Sequence, residues 1–282
     1  MTQRIPRSLL ALLCMVLLSA VAPPAGGQKA TGQEEATASS DTSGFEDIDG
    51  TTLKPAVLSY DATMKMGGKQ VDLSSTLTVT ATSTGETDVG GTDTWTLVNK
   101  IETPQGTNID SLIMDRSALL PVSRHQRGRS RMDISYTTGP TSDKMKVSGE
   151  MKAGGQPKSI SAELEGSTLA GGVHDVIALA AMPLNPGFRA ALRVFSPQDQ
   201  STKRAEFEAA GMETVETPAG SFETYVVDLN VGDGYVTGTV HLRKEPPHYY
   251  VKWRTEVSSG RGPRTVTQTL SSMEMQAVPS GK

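Results

Sequence analysis

The sequence predicts an all-β fold: a long curved antiparallel sheet, a half-barrel or open barrel, with one short helix against it. Three observations predict it. Apolar and polar residues alternate in run after run from Leu53 to Met275, the period of strands that bury one face. Gly, Pro, Ser, Thr and Asp separate these runs at hairpin spacing. Only the stretch between Gly171 and Pro186 breaks the alternation, with the helix formers VIALAAM.

The elements follow in order. Leu58, Tyr60, Ala62, Met64 and Met66 share one face, and Val71, Leu73, Ser75, Leu77 and Val79 repeat the pattern after Gly67 and Gly68. A Gly-Gly pair between alternating runs is a hairpin signal. Trp95, Leu97, Asn99 and Ile101 form the next strand, residues 104–106 turn it, and 109–115 return. Strands are expected at 119–126, 131–136, 144–151 and 158–164. Asp175 is expected to cap a helix running to Met182, which Pro183 ends. Strands resume at 188–195, 205–215, 222–231, 235–244, 249–257 and 265–275. Runs of this length span roughly 25 to 36 Å at ~3.3 Å per residue. With one apolar face each, the sheet must curl or be covered. A two-sheet sandwich is the competing architecture. An outer-membrane barrel fits poorly, since Phe, Trp and Tyr make up 5% of residues and supply no outward aromatic girdles.

The amino terminus reads as a secretory signal peptide, residues 1–27. Arg4 and Arg7 precede an apolar run from Leu9 to Ala22, followed by small residues and prolines. About 14 apolar residues fall short of the roughly 20 of a membrane-spanning helix, so cleavage near Gly27 is expected, with no integral span afterwards. Cys14, the single cysteine, lies inside that run after Leu13, the wrong setting for a lipidated cysteine. The mature chain then has no cysteine, which excludes disulfide-stapled scaffolds, thiol nucleophiles and Cys-ligated zinc. The expected location is periplasmic or secreted. Residues 28–52, rich in Thr, Ser, Glu, Asp and Gly, read as a disordered linker, 53–276 as one β domain, and 277–282 as a disordered tail.

Charge excludes one partner class. Losing Arg4 and Arg7 moves the formal charge from -4 to -6, and no concentrated basic face of a nucleic-acid binder is legible. Chemistry is sparse. His125, His174, His241 and His248 show no HxH or HExxH spacing, and no serine, Ser111 and Ser221 included, sits in a GxSxG elbow. The Gly-Gly pairs open no helix after a strand, so they read as turns. No catalytic residue, cofactor or metal is expected.

Two patterns remain. Arg124, Arg127, Arg129 and Arg131 cluster at an expected hairpin tip, either contacting an anionic surface or shielding a strand edge in solvent. Removing Met1 and Met15 from 12 methionines leaves 10, against 5 Phe. Flexible thioethers suit a face that takes variable apolar ligands, and they also fill ordinary cores. The residues expected to line a ligand face are Met64, Met66, Leu77, Trp95, Met114 and Trp253.

The segments LNPGF at 184–188, GMETV at 211–215, PAGSF at 218–222 and the run from Pro246 to Trp253 resemble the bacterial envelope family DUF3108, whose function is unknown. Ser221 stands where that family's turn carries Thr, and Asp228 where a glutamate is common. The resemblance covers mainly residues 173–258 and extends weakly to Leu53. It supplies no catalytic residues. It implies an architecture similar to open half-barrels that hold lipid acyl chains, and hence a non-catalytic module for a hydrophobic ligand or an apolar segment of an envelope partner. The alternative is an accessory envelope protein that acts through protein contacts with no small ligand.

Overall fold

The computed structural model describes residues 44–82, 93–138, 144–153, 155–258 and 262–276. The expected signal peptide, the first part of the expected linker (28–43) and the tail 277–282 lie outside the described residues. The architecture is the expected one: a single antiparallel sheet of 14 strands with one short α-helix. The first half of the sheet is β1 (Ala56–Met66), β2 (Lys69–Thr82), β3 (Thr94–Thr103), β4 (Gly106–Asp115), β5 (Pro121–Arg127), β6 (Ser130–Thr138), β7 (Lys144–Ala153) and β8 (Lys158–Glu165). Helix α1 (Val173–Ala180) intervenes. The second half is β9 (Arg189–Ser196), β10 (Ser201–Thr217), β11 (Gly220–Val231), β12 (Val236–Arg243), β13 (Tyr250–Val257) and β14 (Arg264–Met275).

Each half is a meander, and β14 pairs with β1, so the order runs from β8 through β1 and β14 to β9. The curl brings edges β8 and β9 together without a continuous ladder. Gly166, at φ +65°, reverses the chain after β8. The returning Leu169 then forms a parallel bridge with Val194, its N–H donating to Arg193 O at 2.8 Å. Nearer the β9–β10 turn the Gln200 side chain does the work of a backbone amide. Its Nε2 donates to Ser159 O at 3.1 Å, and its Oε1 accepts from Ser161 N at 2.9 Å. The two edges are therefore covered rather than left as open pairing templates.

Alternate connections fall at opposite ends of the curled sheet. The upper end carries the turns after β1, β3, β5, β7, β9, β11 and β13. At the lower end, two 3-10 turns, Phe45–Asp47 and Gly50–Thr52, fold against the barrel. Trp95 Nε1 donates to Gly50 O at 3.0 Å, and Asp49 N donates to Ala181 O at 2.9 Å. Gly50 is required here, because a Cβ would lie 2.3 Å from Arg116 O. Residues 44–52, the last part of the expected linker, form a plug with Ile48 and Gly50 buried.

All eight residues of α1 are buried. Apart from His174 and Asp175 the helix is apolar, and such a helix belongs in a core. The inward strand residues supply it: Leu58, Leu77, Leu97, Met114, Ile134, Leu192 and Val227 belong to one cluster with Val176, Ile177 and Leu179. The helix starts three residues before the expected position, and its N-cap is Gly172 with no side-chain cap. Asp175, expected as the cap, lies in the first turn. A buried helix entered through Leu169 and Ala170, both without exposed surface, is fixed by packing and does not need a solvated capping side chain.

Candidate functional site

The helix does not fill the barrel. Eight helical residues span ~12 Å, against roughly 36 Å for an 11-residue strand such as β1. Both ends of α1 are tied to the lower end. His174 Nε2 donates to Leu119 O at 2.8 Å, and Ala181 O accepts from Asp49. Among the described residues the upper half of the interior is therefore lined by strand side chains, and its lining differs from the core below.

One wall is apolar. Met64 and Val257 are buried in a separate small cluster, against which Val71, Leu73, Tyr235, Val236 and Val266 pack while only half-buried. These residues come from β1, β2, the turn before β12, and β12 to β14. The facing wall, β2 to β6, is polar. Asn99, Asp110 and Gln126 are register partners in one inward row across β3, β4 and β5. Ser75, Asn108 and Ser130 are buried beside them. Ser130 Oγ donates to Gln126 Oε1 at 3.2 Å. Ser75 Oγ and Asn99 Oδ1 make no hydrogen bond within the described protein, a cost of ~1–3 kcal/mol each when a polar atom is buried unpaired.

Below this wall lies a buried charge cluster. The Arg124 guanidinium, 1% exposed, donates Nε to Asp110 Oδ1 at 2.9 Å and Nη2 to Asp110 Oδ2 at 2.6 Å. Its Nη1 donates to Ala170 O at 2.5 Å, just ahead of α1. Burial works against the Arg124 charge, but the Asp110 carboxylate more than offsets it and its pKa is raised. Burial pushes the His174 imidazole down to about 3, so the ring is neutral. Its Nδ1 accepts from Ala170 N at 3.0 Å, which leaves the proton on Nε2 for Leu119 O. Burial pushes the Asp175 carboxyl up to about 7, only partly opposed by Arg124. Asp175 Oδ1 has no hydrogen-bond partner within the described protein.

The expected ligand-lining residues divide between the two halves. Leu77, Trp95 and Met114 are fully buried in the lower core with α1 and the plug. Met64 belongs to the upper apolar wall, with Met66 half-buried at its rim. Trp253 is 7% exposed beneath that wall, edge-on to Tyr250 at 5.7 Å. Tyr250 in turn stacks on Tyr60 at 4.4 Å and donates its hydroxyl to Gln268 Oε1 at 3.1 Å.

The four arginines also separate. Arg124 faces inward, because the hairpin tip lies beyond it at residues 128–129 and it falls on the buried phase of β5. Arg127, Arg129 and Arg131 are exposed. Arg127 Nη2 and Arg131 Nε donate to the two oxygens of Asp133 at 2.6 and 2.9 Å. With His125 Nδ1 at 2.9 Å, these contacts lower the Asp133 pKa, the His125 bond contributing most.

Register also sets Ser111 opposite His125, and His125 opposite Asp133, in one row on the outer sheet face. The row has the residue types of a nucleophile relay, but the Asp133 charge is shared by two arginines and no Ser111 to His125 hydrogen bond is present among the described residues. His248 is held by Arg243 O at 2.7 Å, and Ser221 Oγ by Glu216 at 2.6 Å.

Sequence reasoning missed the polar wall. The signal was there: Ser75 and Asn99 fall on the apolar phase of their strands, where a polar residue must face the interior. Asp110 and Gln126 became visible only with the register of β3 to β5.

Fold and lining together define a barrel-like all-β protein whose lower half is packed around α1 and whose upper half has a mixed polar and apolar lining. The family profile described as "Protein of unknown function (DUF3108)" matches residues 59–269, and the chain belongs to that family. The match reaches well beyond the 173–258 that carried the resemblance. The fold is similar to a beta-barrel-like protein of the domain of unknown function DUF1849 from Brucella abortus, at 10% identity and a TM-score of 0.50, covering 80% of this chain and 99% of that one. A Bacteroides fragilis protein with a YmcC-like fold aligns over 81% of this chain and 99% of its own, at 12% identity and a TM-score of 0.35. No curated protein matches the sequence.

Proposed function

We propose that this is an exported, non-catalytic module of the cell envelope that takes an amphiphile into its upper half, the acyl portion on the apolar wall and the polar portion toward the Asn99, Asp110 and Gln126 row. One observation carries the reading: a half-buried apolar cluster, set apart from the core, faces a row of buried polar side chains. An ordinary core would have buried the first and excluded the second. Export rests on the layout of residues 1–27. A second reading, an accessory protein acting through protein contacts, is favoured by one fact: the lower interior is already filled by α1 and the plug.

The test is titration of a fluorescent fatty acid into protein purified from the envelope fraction, with its mature N-terminus determined by mass spectrometry. Saturable binding is expected, and Leu73→Gln with Val266→Gln together should weaken it at least about tenfold, since each removes apolar contact worth ~1 kcal/mol or more. Val122→Gln on the outer face, where Val122 is 45% exposed, should not. Binding unaffected by the chamber pair, or absent from the wild type, would sink the ligand reading and leave the accessory one. A mature N-terminus at Met1 would do the same for export.

A further inference from the structure

We infer that the upper end is a docking surface for an anionic phospholipid bilayer. Charge on this chain is sorted by end, although its formal sum is only -4. Along the upper rim from β1 to β8, Lys65, Lys69, Arg129, Lys152 and Lys158 are exposed, as is Arg127, which Asp133 pairs at 2.6 Å. The exposed acids near these turns are Asp72 and Glu150, with Asp199 and Asp233 on the rest of the rim. The cations sit at the tips of the β1–β2, β5–β6 and β7–β8 hairpins, neighbours in the ring of turns apart from the β3–β4 tip. There Lys100 and Glu102 cancel each other at 2.8 Å. On the lower rim the exposed acids Glu46, Glu165, Glu216, Glu245 and Glu274 face the exposed cations Lys54, Lys144, Arg189 and Lys244, of which Lys144, Arg189 and Lys244 are paired with Glu163, Glu208 and Glu223. A chain near neutral overall but basic at one end and acidic at the other orients itself on a charged plane. Cations on hairpin tips that touch a lipid headgroup layer lie within one Debye length, about 8–10 Å, of its charges.

The sign selects the occupant. Acidic headgroups attract the upper rim and repel the lower, whereas an acidic protein surface would need relief to match hairpin tips spread over half a barrel rim. The same end carries the half-buried apolar cluster, so docking would present the chamber to the lipid. The inference goes beyond the ligand reading and does not need it, because rim charge alone produces the docking.

The experiment is co-sedimentation of the full mature protein with phosphatidylcholine vesicles, with and without phosphatidylglycerol, at low and high salt. Binding is expected only with phosphatidylglycerol, falling at least about tenfold from 0.05 to 0.5 M NaCl as screening shortens. The variant Lys69→Glu, Arg129→Glu, Lys152→Glu should lose binding. Lys54→Glu, Arg189→Glu and Lys244→Glu together, the same change of formal charge on the lower rim, should retain it. Circular dichroism checks that both variants fold. Wild-type protein that ignores phosphatidylglycerol overturns the inference, as do equal losses in the two variants or an upper-rim variant that still binds. The fatty-acid titration, run without vesicles, fails or succeeds independently of all these outcomes.

Discussion

Asp175 is the residue whose placement is least expected on physical grounds, a carboxyl inside a barrel with one oxygen unpaired. Its pKa is about 7 folded against an ordinary 3.8, so between these values the folded state holds a proton that the unfolded state has released. Stability must then fall as pH rises from about 4 to about 7, and level off above. Asp175→Asn removes the titration and should be more stable than wild type at neutral pH by a few kcal/mol, ~4 at most. Urea melts of both proteins at pH 4.5 and 8 check this. The gap must widen toward pH 8, and a gap that narrows contradicts the burial of the carboxyl. Arg124 is the opposite case, a buried charge fully answered by Asp110, and removing either partner of such a pair costs ~3–5 kcal/mol. At this scale the sequence was only partly legible. Arg124 was read with its three arginine neighbours because spacing along a chain does not tell which side of a strand a residue faces once the turn is two residues further on.

At the scale of elements, strands were legible because alternation and turn residues agree, and the observed ends differ from the expected ones mostly by one to four residues. Two elements were not. The plug at 44–52 is polar in composition and owes its order to a few contacts made from far away in the chain: Gly50 with Trp95 and Asp49 with Ala181. The seam was equally hidden, since nothing about Gln200 in sequence shows that its amide will complete the edge of β8. Gln200→Ala should leave the β8 edge unpaired there. Hydrogen exchange at the Ser161 amide is expected to accelerate by at least about tenfold, the equivalent of ~1.4 kcal/mol of local protection. Amides of β3 and β4, far round the sheet, should be unchanged. Unaltered exchange at Ser161 would mean that the Gln200 bridge is not what closes the seam.

At the scale of the whole molecule, one curled sheet has a lower half filled by α1 and the plug and an upper half lined by strand side chains, where the proposed ligand would sit. The division follows from length: a helix of eight residues cannot fill a barrel of strands three times as long. The two tryptophans, Trp95 and Trp253, both belong to the main core cluster, Trp95 at its lower end and Trp253 at its upper boundary, at the level of Gln268. Trp95 is locked to the plug, and Trp253 lies under the upper apolar wall beside Tyr250. A brominated fatty acid, which quenches indole fluorescence on contact, therefore tests the division most directly. In Trp95→Phe, where Trp253 alone emits, quenching should be saturable and nearly complete. In Trp253→Phe, where Trp95 alone emits, the same titration should leave the fluorescence almost unchanged. Equal quenching of both indoles, or none of Trp253, would contradict the placement of the ligand in the upper half.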